Sequence, residues 1–264
     1  MTQRRAWPTM GSMASLAIRG ASTTVVDVAE RRVRDWFERV EAALSPYRDD
    51  SDLCRWRSGA ATLEECSPLL AEVVAAVAGL PAATGGGFHP YDRDGRFDPT
   101  GYVKGWAIER AVDLAIDAGV TDACLGIGGD LQMVGRPSAE RPWRAGVVDP
   151  QDERRLVAIV EAPDGGTWAV ATSGDAQRGE HIWAPPLPAA RDLLPALRSV
   201  TVVGPQLRYA DAYATAVWAR ARRQPLADAW AWLAGTGYQA LAVDRAGWIQ
   251  ATTGMAAHLA RPAA

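Results

Sequence analysis

The sequence predicts an α+β fold with a mainly antiparallel sheet. Three observations carry that expectation. Helical and extended patterns alternate irregularly along the 264 residues, which argues against a doubly wound parallel sheet. Short extended runs recur in hairpin-like pairs punctuated by glycine. No Ser/Gly/Pro linker divides the chain, and its length suits one large domain able to bury an ample core.

Taken in order, the nine N-terminal residues read as a tail, and Gly11–Gly20 alternates as a strand. Val26, Ala29, Val33, Trp36, Val40 and Leu44 then form one apolar stripe at helical spacing, with Ser22 or Thr23 available as its cap. Ser45-Pro46-Tyr47 breaks this helix, and a polar segment, Arg48–Gly59, leads to a second apolar helix over Pro68–Ala83 that Gly85-Gly86-Gly87 ends. Phe88–Thr100 is a loop with a short strand at most. Val103–Ala118 is helical, with Gly119 suited to the position after its end. Ala123–Ile127 reads as a buried strand, turned by Gly128-Gly129-Asp130 into Leu131–Val134. Trp143–Val148, Leu156–Ala162, Thr167–Thr172 and Ser199–Val203 are strand-like. Tyr209–Arg222 and Leu226–Ala234 are helical, and Leu241–Asp244 with Trp248–Ala251 form a hairpin around Arg245-Ala246-Gly247.

Composition excludes several function classes. A net charge of −3 argues against nonspecific nucleic-acid binding and against a polybasic membrane anchor. Cys54, Cys66 and Cys124 form no CxxC and read as reduced thiols. The N-terminus carries no apolar run of the secretory kind, and the longest apolar stretch, Leu69–Ala83, contains Glu72 and Pro81 and is too short to span a bilayer. The expectation is a cytoplasmic protein without a membrane segment. Of 28 basic residues a single one, Lys104, is lysine.

Two constellations invite chemistry. Asp98 and Lys104 flank a helix start, where unpaired N–H groups favour anions. A cation in a first helical turn opposes the dipole unless an anion sits there, and the alternative is a capping carboxylate with a solvated lysine. Asp211 and Thr215 are i and i+4 among small residues, so a carboxylate and a hydroxyl share one helix face and can converge on a hard cation such as Mg²⁺. The competing reading makes Asp211 a helix-end charge and Thr215 a surface residue. Gly126-Ile127-Gly128-Gly129-Asp130 fails as a dinucleotide motif, since Leu131 stands at the third glycine position and no helix follows; a glycine-rich hairpin explains it. Thr172-Ser173-Gly174-Asp175 lacks a nucleophile-elbow pattern. His89, His181 and His258 are scattered, which disfavours zinc.

In sequence order these pieces resemble the ApbE family, the FAD:protein FMN transferases, from Met10 to about Thr252. Met10-Gly11-Ser12 is similar to that family's Met-Gly-Thr, and Ser45-Pro46-Tyr47-Arg48 with Ser51-Asp52-Leu53 to its Ser-x-Tyr…Ser-x-Leu segment. Asp98…Lys104-Gly105 and Gly128-Gly129-Asp130 resemble its Asp-x-x-x-x-x-Lys-Gly and Gly-Gly-Asp motifs. Thr172-Ser173-Gly174 with His181-Ile182, Ser199-Val200-Thr201-Val202, and Asp211-Ala212…Thr215 resemble its remaining motifs.

The resemblance implies one T-fold-like domain of two related halves over residues 10–255, followed by a tail at 256–264. It implies a Mg²⁺-dependent enzyme that cleaves FAD, attaches FMN as a phosphodiester to a Thr or Ser of an acceptor protein, and releases AMP. By position, the metal falls to Asp211, Thr215 and the Gly101 carbonyl, with Asp211 and His181 as catalytic residues. Flavin or adenine contacts fall to Met10, Tyr47, Asp98, Lys104 and Ile182. The segment between Gly85 and Asp98 is shorter than in long members of the family, and Trp183-Ala184-Pro185 stands where Asp-Pro follows the His-Ile pair. These departures keep a second reading open: an FAD-binding module, or an FAD pyrophosphatase yielding FMN and AMP without transfer.

Overall fold

The structure is a computed structural model describing residues 1–174 and 197–260. The chain opens with a hairpin of β1 (Thr2–Thr9) and β2 (Ser12–Arg19), in full register from Thr2↔Arg19 to Thr9↔Ser12. The N-terminal segment expected as a tail is therefore an edge strand. Trp7 anchors it in the core while Arg4 and Arg5 keep its other positions polar.

Helix α1 (Thr23–Leu44) starts where Ser22 Oγ accepts the Val25 N–H at 3.3 Å, and it buries the expected apolar stripe. The polar segment holds a short helix the sequence pattern did not suggest, α2 (Asp52–Arg57), capped by Ser51 Oγ accepting the Cys54 N–H. The single helix expected over Pro68–Ala83 is two, α3 (Pro68–Val77) and α4 (Leu80–Ala83), because Gly79 and Pro81 interrupt the hydrogen-bond ladder. Helix α5 (Thr100–Ile116) begins three residues earlier than expected, since Asp98 Oδ1 accepts the Thr100 N–H at 3.1 Å and supports its start.

Strands β3 (Asp122–Ile127) and β4 (Asp130–Val134) form the next hairpin. Its two-residue turn has Gly128 at φ +58° and Gly129 at φ +95°, the double left-handed geometry of a tight hairpin turn. That geometry accounts for the glycine pair. Strands β5 (Arg144–Asp149) and β6 (Asp152–Glu161) form a separate ribbon. The chain continues through β7 (Thr167–Gly174), β8 (Leu197–Gly204), α6 (Leu207–Ala221), α7 (Leu226–Ala234), β9 (Gln239–Asp244) and β10 (Ile249–Ala251). The C-terminal tail expected from residue 256 begins inside a 3₁₀ turn, Thr253–His258, and Leu259 bridges to Val160.

Among the described residues eight strands form one antiparallel sheet in the order β1-β2-β3-β4-β7-β8-β9-β10. The expected two halves are visible in it: each is a hairpin, a helical segment, then a second hairpin. Helices cover one face, where Trp106 and Ile108 meet Leu16, Leu125, Ala171 and Val202. The β5–β6 ribbon and the 3₁₀ turn cover the other, packing Ala145, Val147, Val160 and Met255 against Trp168, Val203 and Val243. Alternation along the strands sends each side chain to one layer or the other.

Candidate functional site

The hairpin topology gathers the candidate residues at one end of the sheet. The Met10-Gly11 turn, the Gly128-Gly129 turn and the C-terminal end of β7 all lie there, since Ala14 pairs with Ile127 and Gly174 with Ser199. Helix α1 ends there too, where Glu41 accepts the Met10 N–H. The N-terminus of α5 points to the same end, because that helix runs back to the opposite end before β3.

At the centre α5 and α6 pack antiparallel with their backbones close. A Cβ on Gly101 would lie 3.0 Å from Thr215 Oγ1, and one on Gly105 would lie 2.5 Å from the Leu207 carbonyl oxygen and 2.9 Å from Asp211 Cβ. The Gly105 N–H, which an ideal helix directs at the Gly101 carbonyl, donates to Asp211 Oδ2 at 3.0 Å. Asp211 is 5% exposed. Thr215 Oγ1 lies 3.2 Å from Ser173 Oγ on β7. A carboxylate, two hydroxyls and the first-turn backbone of α5 thus converge. Asp211 is thus a buried carboxylate and not a solvated helix-end charge, while Thr215 is half-buried at the contact.

Lys104 sits in the second turn of α5, one turn deeper than expected. Its Nζ lies 2.7 Å from Asp130 Oδ2, and the Asp130 side chain is 1% exposed. The other Asp130 oxygen accepts the Thr172 N–H at 3.0 Å. A buried carboxylate of the chain itself, delivered by the Gly-Gly turn to the start of β4, thus stands beside the lysine. Asp98 accepts the first N–H of α5 and also faces Arg57 of α2, whose Nη2 is 3.8 Å from Asp98 Oδ1 and whose Nε donates to the Phe97 carbonyl.

Met10 and Tyr47 stand at the same end, away from the α5–α6 contact. Met10 is the one non-glycine residue among the described residues with positive φ, +49°, a conformation that costs roughly 1–2 kcal/mol. It lines an open groove of about 650 Å³ with Ser12, Met13 and Glu41. Tyr47 follows α1 and is 80% exposed. His181 and Ile182 lie outside the described residues; of the strand residues that flank their segment, Gly174 pairs with Ser199 and Leu197 with Asp244 at this sheet end.

Among the described residues no three His, Cys, Asp or Glu side chains converge to hold a metal. A cation here would need hydroxyl and backbone oxygens beside Asp211. The three cysteines are free thiols, and burial pushes Cys124 up to about 12, so it is protonated at neutral pH and is no nucleophile. Among the described residues no helix is long and apolar enough to cross a membrane.

The family model described as the ApbE family matches residues 91–241. The chain belongs to the ApbE family. A protein of Vibrio cholerae serotype O1 named FAD:protein FMN transferase is 28% identical over 135 residues, 48% of this chain and 39% of its own length. The chain thus spans about two fifths of that relative in the match. Two solved structures share the fold across nearly the whole chain. The apo flavinyl transferase ApbE of Pseudomonas stutzeri is 22% identical, with a TM-score of 0.77 over 98% of both chains. The ApbE protein of Thermotoga maritima is 17% identical, with a TM-score of 0.81 over 99% of this chain and 100% of that one.

The sequence of this ApbE-family chain singles out Asp211, Thr215 and Lys104 but not the groups that hold them. Asp130 was visible as part of a motif, without its role as partner to Lys104. Ser173 lay in a motif read only for its lack of a nucleophile pattern. Glu109 is buried in the structure, and the signal the sequence offers for it is a charge amid the apolar positions of α5.

Proposed function

We propose that this ApbE-family chain is a Mg²⁺-dependent FAD:protein FMN transferase. It would break the pyrophosphate of FAD, join FMN through a phosphodiester to a Thr or Ser hydroxyl of an acceptor protein, and release AMP. The observation that carries the reading is the oxygen cluster at the α5–α6 contact: Asp211, Thr215 and Ser173 beside Gly101. Family membership and the names of its relatives support the same reading.

The residues fit the metal. Mg²⁺ takes hard oxygen ligands and leaves positions for water or phosphate. Asp211 would supply the charge, and Thr215 and the Gly101 carbonyl neutral donors. The missing Cβ of Gly101 keeps the space before Thr215 Oγ1 open. Bound there, the ion would neutralise pyrophosphate charge and the charge developing at phosphorus.

The chain's own groups do the rest. The Gly105 N–H fixes the rotamer of Asp211. Asp130 holds the Lys104 ammonium beside the start of α5. Met10, Tyr47, Asp98, Lys104 and Ile182 would contact the flavin or adenine. His181 would take the proton of the acceptor hydroxyl, whose oxygen forms the new bond to the FMN phosphorus as the bond to the AMP oxygen breaks. Three free thiols suit the reducing cytoplasm we propose as its setting.

The test incubates the protein with FAD, with and without an acceptor protein. AMP release matched by covalently bound flavin, and stopped by EDTA, is the expected result. Equal amounts of free FMN and AMP would instead assign FAD hydrolysis. No AMP under any condition overturns the proposal.

A further inference from the structure

The proposed metal donors are split between two helices, Gly101 on α5 and Asp211 with Thr215 on α6. Their separation therefore depends on how far one helix has slid along the other. One residue of slip moves a helix by about 1.5 Å. Mg²⁺ demands ligands near 2.0–2.1 Å, roughly, in octahedral order, so such a slip would abolish the site. The contact strip shows what sets the register. On α5 the positions facing α6 are Gly101, Gly105 and Glu109, four residues apart; opposite them stand Thr215, Asp211 and Arg208. The two glycines permit close approach but offer no side chain to resist sliding.

Glu109 is the position on the strip whose side chain grips, beside the Gly105 N–H bond to Asp211 and the Tyr102 contact with Arg208. Its Oε1 accepts from Arg208 Nη2 at 2.6 Å, and its Oε2 accepts from Arg208 Nε at 3.0 Å and from the Arg208 backbone N–H at 3.2 Å. A fork of this kind fixes geometry as well as energy. The cap residue of α6, Gln206, makes no side-chain cap bond. Gln132 of β4 acts in its place: its Oε1 accepts the Leu207 N–H at 2.9 Å while its Nε2 donates to the Trp168 carbonyl at 3.1 Å. Two first-turn amides of α6 are thus held by α5 and by the sheet.

We infer that Glu109 is a positioning residue for the metal site, its clamp on Arg208 setting the α5–α6 register that brings Gly101 to Asp211 and Thr215. Gln132 is the second stop. The inference rests on the Mg²⁺ reading above. It concerns a residue two helical turns from Gly101 that touches no proposed ligand.

The experiment follows the melting temperature of the full chain in saturating FAD as MgCl₂ is titrated, and reads the Mg²⁺ concentration at half of the shift. Glu109→Ala should need more Mg²⁺, by up to about tenfold, the low end of what losing a group bonded directly to a ligand costs. Glu109→Gln, which keeps an acceptor for the Arg208 N–H, should fall between that variant and the wild type. Glu72→Gln removes the Arg110 partner on the other side of α5 and should match the wild type. Should Glu109→Ala fail to fold, the paired change Glu109→Leu/Arg208→Leu removes the clamp without stranding a buried charge. That double variant melting cooperatively with the wild-type Mg²⁺ requirement would overturn the inference. A wild type stabilised by FAD with no response to Mg²⁺ would overturn the metal reading, and this inference with it.

Discussion

The backbone N–H of Gly105 donates to Asp211 Oδ2 at 3.0 Å, a bond that joins two helices across 106 residues of sequence. It exists because Gly105 has no side chain: a Cβ there would lie 2.5 Å from the Leu207 carbonyl oxygen. Replacing the glycine tests this. Alanine favours helix by about 1 kcal/mol over glycine. Overpacking against backbone typically costs about 1–3 kcal/mol, and here the helices must separate to relieve it. Gly105→Ala should therefore be destabilised on balance, with a lower melting temperature and a weaker response to Mg²⁺. A melting temperature equal to or above that of the wild type would show that the close approach matters little.

Asp211→Asn keeps an oxygen to accept the Gly105 N–H but removes the charge. The fold should survive, with a change in stability within about 1 kcal/mol, the net worth of one hydrogen bond. Mg²⁺-dependent AMP release should be lost. Thr215→Val preserves shape while removing a neutral donor and the contact to Ser173, so it should raise the Mg²⁺ requirement less than Asp211→Asn does. Titrating turnover against Mg²⁺ in both variants checks the order. If Asp211→Asn turns over normally, Asp211 is not a metal ligand.

Lys104 carries a structural load that its sequence position concealed. Its removal leaves Asp130 buried without its cation, and breaking such a pair costs about 3–5 kcal/mol. Lys104→Ala should lose stability on that scale in urea unfolding. Lys104→Met/Asp130→Asn, which keeps an acceptor for the Thr172 N–H, should recover most of it. The FAD requirement is then measured in the folded double variant, which separates any flavin contact from the stability effect. A loss below about 1 kcal/mol in Lys104→Ala would mean that solvent screens the pair as it does on a surface.

What the sequence made legible was local. The stripe from Val26 to Leu44 identified α1, the bounds Leu226–Ala234 matched α7, and the Gly128-Gly129 pair marked a hairpin. The i, i+4 spacing placed Asp211 and Thr215 on one face. Strand β1 escaped because an edge strand with one partner needs little apolar patterning, and α2 because only Leu53 of its six residues is buried. The site's supports escaped for another reason. Ser173 meets Thr215 across 42 residues and Glu109 meets Arg208 across 99, distances at which periodicity carries no information. Gly101 entered through family resemblance, and only the helix packing explains why it is glycine. Lys104 was misplaced by one turn because Asp98 starts α5 earlier than the apolar pattern does.

His258 makes the pH dependence testable on the far face of the sheet. It lies over Trp168 with ring centroids 5.2 Å apart, and burial lowers its pKa below the ordinary 6.5. An imidazolium over an indole would gain about 0.5–1 kcal/mol of cation–π attraction at an exposed site. Burial strips water from the charged form, and that lowers the pKa. Between the depressed folded value and 6.5 the unfolded chain binds more protons than the folded one. Stability therefore rises with pH across that window. The contribution of neutral His258 is fully present above pH 6.5 and is lost as pH falls through the folded value. Melting curves at pH 7.5 and 5.5 should show a larger loss for the wild type than for His258→Phe, which keeps the ring and cannot protonate. An NMR titration of the His258 ring should have its midpoint below 6.5. A midpoint at or above 6.5, together with parallel melting losses in the two proteins, would show that the imidazolium is accommodated over Trp168 after all.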